Sequence, residues 1–465
     1  MDTGNPLFEA WVNRVDLALL LTQDDLAGSS GGPPSLLNGA ALEPMARKVI
    51  DAVGARGPSS RSYFANPLRT FLTVTNLTGV PYGLPMTGNQ AIAHGMRSYA
   101  DHVRFALNTG TGASHVYADE MELPPVADTA AQPWDYILRS ALACGAFPAA
   151  LPAQALTRFT SDYDSRVVTW TDPLRPTPRP PDWTDQGRFY EFLGVDGGCM
   201  NNEPLDLARK VLAGANGRNP RDPVEANRAT ILVDPFPEPP DPGPSTTGTP
   251  MLRILGGLVT AWIQQCRFKP EDLALANQED VYSRYLITPS REGDTGASAG
   301  HHLACGLLGG FGGFLSRDMR LHDFMLGRRN AQRFLQRHLA IPSSNKVLAA
   351  GYGDPTVRQN YAFIENGTEY LPVIPIVKSF GPFHNPIEDP EPLPAWRAGG
   401  IDFDSLERQL VSRVDKVLDG LLDANGFGGV LIGAYLAPAR LMARRRLSKF
   451  VQGDLRGTLR SWKLT

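Results

Sequence analysis

Two short stretches of this 465-residue chain carry residue types that could do acid–base or nucleophilic chemistry. The first is Gly187-Arg-Phe-Tyr-Glu-Phe-Leu-Gly-Val-Asp196-Gly-Gly-Cys-Met-Asn-Asn-Glu-Pro204. An apolar, aromatic run over residues 189–195 predicts a short buried strand that ends at an acid and two glycines. Gly197 and Gly198 allow a tight turn or a positive φ directly behind the carboxylate. Asp196 is therefore expected at the end of a strand, in a loop held by a rigid sheet, where catalytic acids and bases are commonly displayed. The competing reading makes Asp196 a turn residue that caps the next segment, since Asp-Gly is a common turn dipeptide. The second stretch is Gly296-Ala-Ser298-Ala-Gly300, a match to GxSxG with His301 and His302 beside it. A nucleophile elbow needs a strand directly before its first glycine. Here a polar loop over residues 289–295 precedes it, so Ser298 has only the helical half of that context.

Other candidates are weaker. Cys144, Cys199, Cys266 and Cys305 are far apart and form no CxxC pair, which argues against a zinc site or a disulfide framework. Cys199, three residues after Asp196, reads as a small buried residue packing the loop. His94 and His102 have no acidic partner at ligand spacing, so no metal site is expected. Arg320, Arg328, Arg329, Arg333 and Arg337 alternate with apolar residues and read as the solvated face of an amphipathic helix. The tail, residues 438–465, is basic and contains Leu441, Met442, Phe450 and Trp462, a composition that suits an anionic membrane surface or a solvated terminal helix.

Composition sets the frame. Hydrophobic residues make up 42% and charged residues 20%, ordinary for a soluble globular chain. A net charge of −3 gives no reason to invoke nucleic acid. No apolar run reaches transmembrane length and no signal-peptide pattern is visible, so a cytoplasmic protein with peripheral membrane contact is expected. Forty prolines and 46 glycines imply many loops.

The stretch Val195-Asp196-Gly-Gly-Cys-Met-Asn-Asn-Glu-Pro204 resembles the Asp-Gly-Gly segment of the larger bacterial patatin-like phospholipases. Further segments resemble the same group in the same order: Asn5-Pro-Leu-Phe-Glu-Ala-Trp-Val12, Thr73-Val-Thr-Asn-Leu-Thr-Gly-Val-Pro-Tyr82, Leu138-Arg-Ser-Ala-Leu-Ala-Cys-Gly-Ala-Phe-Pro148, Ala226-Asn-Arg-Ala-Thr-Ile-Leu-Val-Asp-Pro-Phe-Pro237 and Arg320-Leu-His-Asp-Phe-Met-Leu-Gly-Arg-Arg-Asn330. The resemblance implies a serine nucleophile on a GxSxG elbow, a glycine-rich oxyanion loop, and the aspartate of the Asp-Gly-Gly loop as the serine's base. Asp196, with Gly197 and Gly198, inherits that role. The substrate class implied is a lipid or other ester, without a cofactor. In that family the Asn-Pro-Leu segment follows the oxyanion loop and the elbow. With four residues ahead of Asn5, this chain is expected to lack both. Two alternatives stand beside this reading. One is a non-catalytic lipid- or membrane-binding domain. The other is a hydrolase using Ser298 with His301, His302 or His322.

The elements that would position Asp196 follow from periodicity. Helices are expected over residues 7–21, 40–53, 91–107, 134–147, 251–265 and 403–422, and strands over 68–77, 166–170, 189–195, 229–233 and 285–288. The resulting fold class is α/β. By the resemblance it is a patatin-like central mixed sheet flanked by helices, N-terminally truncated, with a mostly helical C-terminal extension. Residues 1–234 form the partial catalytic domain and 235–465 the extension.

Overall fold

The computed structural model describes residues 4–27, 31–57, 63–86, 89–108, 117–166, 178–179, 181–183, 187–214, 218–236, 281–291, 303–349, 351–376, 379–380, 383–384, 401–424, 441–442 and 444–461, with isolated residues between 254 and 278 and at 393. The chain is mixed α/β and divides into two compact units. One comprises residues 1–202, 254–267 and 402–454; the other comprises 203–253, 268–401 and 455–465. The sequence boundary drawn after Asp234 falls inside the second unit.

The first unit is built on a five-stranded mixed sheet of order β3-β2-β1-β5-β4. Its strands are β1 (Leu68–Met86), β2 (Asn89–Leu107), β3 (Glu120–Leu123), β4 (Gln154–Phe159) and β5 (Phe189–Asp196). β1 and β2 form a long antiparallel hairpin, β3 runs parallel to β2, and β5 lies antiparallel between β1 and β4. β5 alternates as a half-covered strand should: Tyr190, Phe192 and Gly194 are buried while Phe189, Glu191 and Leu193 are exposed. The helix Gln132–Cys144 packs across β1, β3, β4 and β5. Val74, Val103, Phe105, Leu123, Ala143, Leu156, Tyr163, Tyr190 and Phe192 form the core beneath it.

The hairpin corrects two expectations. Residues 91–107, read as a helix, are strand β2. Their alanines and Met96 favour a helix locally, but pairing with β1 along almost its whole length overrides that preference. β1 also runs well past residue 77, the end expected from its periodicity. The register breaks between Thr75 and Val80, and Asn76 Oδ1 accepts the amides of Thr78 (3.0 Å) and Gly79 (2.9 Å) in the bulge. Beyond the bulge β1 no longer pairs with β5, so Pro81 and Pro85 remove no ladder bond on that side.

At the N-terminus, the single helix expected over residues 7–21 is interrupted. Helical turns Pro6–Phe8, Glu9–Arg14 and Leu17–Leu20 are separated where Asp16 caps the last by accepting the Leu19 amide at 2.8 Å. Leu7 and Trp11 are exposed, and Phe8, Val12, Val15 and Leu20 are buried. The expected strand at 166–170 lies outside the described residues except for Arg166, which ends a 3-10 turn.

The helix Phe403–Ala424 belongs to this unit, and its most deeply buried anchor is Arg413. Arg413 is fully buried and donates to Leu36 O (3.0 Å), Thr22 O (2.7 Å) and Ser35 O (3.2 Å), and to both carboxylate oxygens of Asp25. Every donor group of the guanidinium is thus engaged, as burial of an arginine requires.

The second unit contains a parallel pair, β6 (Thr230–Val233) with β7 (Arg284–Ile287), and the helices Leu205–Ala213 and Arg317–Arg333. An antiparallel sheet of β8 (Ala340–Pro342), β9 (Phe363–Glu365) and β10 (Thr368–Pro372) has order β8-β10-β9. Ile341, Leu348, Tyr352 and Leu371 form its core. No helix among the described residues is long and apolar enough to cross a membrane.

Candidate active site

Asp196 is the last residue of β5, opposite Val74 of β1. Both of its main-chain polar groups are tied. Its amide donates to Ala146 O at 2.9 Å, in the turn after the helix Gln132–Cys144, and its carbonyl accepts the Thr75 hydroxyl at 2.8 Å. The chain then enters the 3-10 turn Gly197–Cys199, and the Asp196 carboxylate accepts the Gly198 amide at 2.8 Å. The capping role read from Asp-Gly is therefore present, on one carboxylate oxygen. Among the described residues nothing donates a hydrogen bond to the other oxygen, and the residue is half-buried rather than sealed.

The two glycines are needed for space and not for backbone sign, since neither has positive φ. A Cβ on Gly197 would lie 2.3 Å from Thr73 Oγ1 and 2.4 Å from the Thr73 carbonyl oxygen, a backbone contact that cannot move aside. At Gly198 it would lie 2.6 Å from Asn202 Oδ1 and 3.0 Å from the Asp196 carboxylate. The bend is thus pressed against β1, and its tightness fixes where the carboxylate stands.

Burial raises the Asp196 carboxyl above the ordinary aspartate value, with the Gly198 amide pulling the other way. The thiols nearby are made inert. Burial pushes the Cys199 thiol up to about 11, reinforced by the Asp196 charge. Cys144, 4.0 Å from Thr73 Oγ1, is also raised by burial. Neither supplies a thiolate near neutral pH. Asp196 is the group of this cluster able to accept a proton.

Of the residues singled out in the sequence, Asp196, Gly197 and Gly198 stand together. Ser298, His301 and His302 lie outside the described residues. His322 is buried on the helix Arg317–Arg333, its Nε2 3.3 Å from an Arg291 guanidinium nitrogen. His94 and His102 sit eight residues apart on one strand, about 26 Å at the usual rise, too far to share a metal. The basic helix is only partly the solvated face expected: Arg328 is exposed, but Arg320 donates to Gly313 O at 2.6 Å and Arg329 Nε is buried.

Sequence reasoning missed the clamp of Thr73, Thr75 and Ala146. A signal for it existed. The segments 73–82, 138–148 and 195–204, quoted separately for the family resemblance, meet at Asp196.

A cavity of about 510 Å³ lies between β2, β4 and the helix Gln132–Cys144, but Asp196 does not line it. Its Asp119, Glu120, Asp135 and Asp162 are paired with Arg104, Arg69, Arg139 and Arg158 respectively. It is a salt-bridged flank of the sheet.

The chain is 34% identical over 411 residues to an uncharacterized protein, y4iI, of Sinorhizobium fredii. The match takes in 80% of this chain and 57% of that relative, so the chain spans little more than half of the relative's length. No protein-family model matches the chain. No solved structure matches it either.

Proposed function

We propose that Asp196 is the general base of a patatin-like lipid acyl hydrolase, the acid member of a serine–aspartate dyad. The observation that supports this most is the asymmetry of the carboxylate: one oxygen is held by the Gly198 amide and the other accepts nothing among the described residues. A carboxylate held in this way keeps a fixed aim and a free lone pair for a hydroxyl at hydrogen-bond distance. In the reaction proposed, the free oxygen takes the proton of a serine hydroxyl as that oxygen bonds to the ester carbonyl carbon. The carboxylic acid then returns the proton to the departing alcohol. Water repeats the cycle on the acyl-serine. Burial makes this carboxylate a stronger base than a solvated aspartate.

The test is ester hydrolysis and covalent fluorophosphonate labelling of the polypeptide as translated from its gene, with Asp196→Asn beside it. The Asn side chain can still accept the Gly198 amide, so the turn is kept. Turnover is expected to fall about a hundredfold to ten-thousandfold with an unchanged circular dichroism spectrum. Full activity in Asp196→Asn removes the assignment. Labelling at Ser298 would transfer the chemistry to that residue. Absence of labelling and turnover in the parent would leave a non-catalytic lipid-binding domain.

A further inference from the structure

Residues 441–442 and 444–448 are helical and continue into the wider turns Lys449–Leu455. One side of this segment is docked. Arg444 pairs with Asp415 of the helix Phe403–Ala424, Gln452 donates to Asp404 (2.8 Å) and Glu407 (2.9 Å), and Val451 is fully buried. At 3.6 residues per turn, Leu441, Met442, Arg445, Arg446, Lys449 and Phe450 fall within about half of the circumference, opposite Leu447, Ser448 and Val451. All six are exposed.

This outer face has an unusual make-up. Arg445, Arg446 and Lys449 form no ion pair with any described residue, and residues 441–450 contain no acid. Of the acids on the neighbouring helix, Asp415 is taken by Arg444 and Asp404 and Glu407 by Gln452, while Asp419 and Asp423 are exposed further along it. Three unpaired cations thus alternate with three large apolar side chains, Leu441, Met442 and Phe450, that are 49%, 59% and 36% exposed. A purely solvated helix has no use for the apolar members, and an apolar protein interface has no use for the unpaired cations. An anionic bilayer uses both, since headgroups meet the cations and the apolar side chains enter the acyl boundary.

We propose that the outer face of residues 441–450 docks this unit onto an anionic phospholipid surface. The attachment depends on Arg445, Arg446 and Lys449 for charge and on Leu441, Met442 and Phe450 for insertion. It does not depend on Asp196, so loss of either property leaves the other measurable.

The experiment is co-flotation of the full chain with phosphatidylcholine vesicles, with and without phosphatidylserine. The parent is expected to bind the phosphatidylserine vesicles and not the neutral ones, with binding that weakens as salt rises. Arg445→Glu, Arg446→Glu and Lys449→Glu together should cut the apparent affinity by about a hundredfold or more, at about fivefold per basic residue near the surface. Leu441→Ser, Met442→Ser and Phe450→Ser together should leave weak binding that is abolished at moderate salt. All six side chains are exposed, so melting temperatures should match the parent's, which separates docking from folding. Equal binding of the charge-reversed variant overturns the proposal. So does equal binding of the parent to neutral vesicles, or binding to a nucleic acid duplex with none to either vesicle.

Discussion

Asp101 and Asp196 are carboxylates of the same sheet treated in opposite ways. Asp101, only 6% exposed, accepts four hydrogen bonds: the His102 amide (2.7 Å), Arg166 Nη1 (2.7 Å), Asn76 Nδ2 (3.1 Å) and the Tyr163 hydroxyl (2.8 Å). Asp196 accepts one, from Gly198, and burial lifts its pKa. A fold that can satisfy a buried acid so fully at one position leaves another short of donors two strands away, both acids being in register with Val74 of β1. The first acid holds the sheet together. The second has one donor among the described residues and a carboxyl raised by burial, at some cost in stability when it is ionised.

The largest effect that would sharpen this contrast is loss of the satisfied acid. Asp101→Ala takes the acceptor from the Tyr163 hydroxyl, Asn76 Nδ2 and Arg166 Nη1, with Arg166 keeping Asp119 through Nε, and a broken buried pair costs up to about 3–5 kcal/mol. Urea unfolding should show a loss of that size, and a loss below 1 kcal/mol would break the contrast. Next comes the bend. Gly197→Ala drives a methyl into the Thr73 backbone, an overpacking that costs about 1–3 kcal/mol and displaces the carboxylate. A denaturation midpoint equal to the parent's would show that the bend is looser than the contacts imply.

Smallest in stability is Asp196→Asn. A carboxyl whose folded pKa is raised binds more protons in the fold than in the unfolded chain between its ordinary and raised values. Stability therefore falls as pH rises through that window. Asn removes this loss and keeps the Gly198 bond. The variant should melt slightly above the parent at pH 7 and together with it below the ordinary carboxylate range. A parent more stable than its Asn variant at pH 7 would mean that Asp196 is a structural acid like Asp101.

Part of this was legible in the sequence. The β5 strand could be read because its aromatic run ends at Asp196-Gly-Gly, and both the core-facing alternation and the tight turn are local properties. The helix Phe403–Ala424 showed in the spacing of Leu406, Leu410, Val414, Val417 and Leu421. What escaped was non-local. Residues 91–107 take their strand from β1, whatever their own preference. Arg413 looks like a solvent-facing charge until a loop nearly four hundred residues upstream closes on it. The Thr73 contact that makes Gly197 necessary involves a residue more than a hundred positions away. Periodicity carries no record of such partners.

Carbon-13 titration of the Asp196 side-chain carboxyl in the intact chain tests, without needing turnover, whether this half-buried carboxylate with a single donor is destabilised as an anion. The resonance should titrate with a midpoint above the ordinary aspartate value of about 3.9. A midpoint at or below that value would contradict it, since the carboxylate would then be stabilised in the fold as a structural acid is.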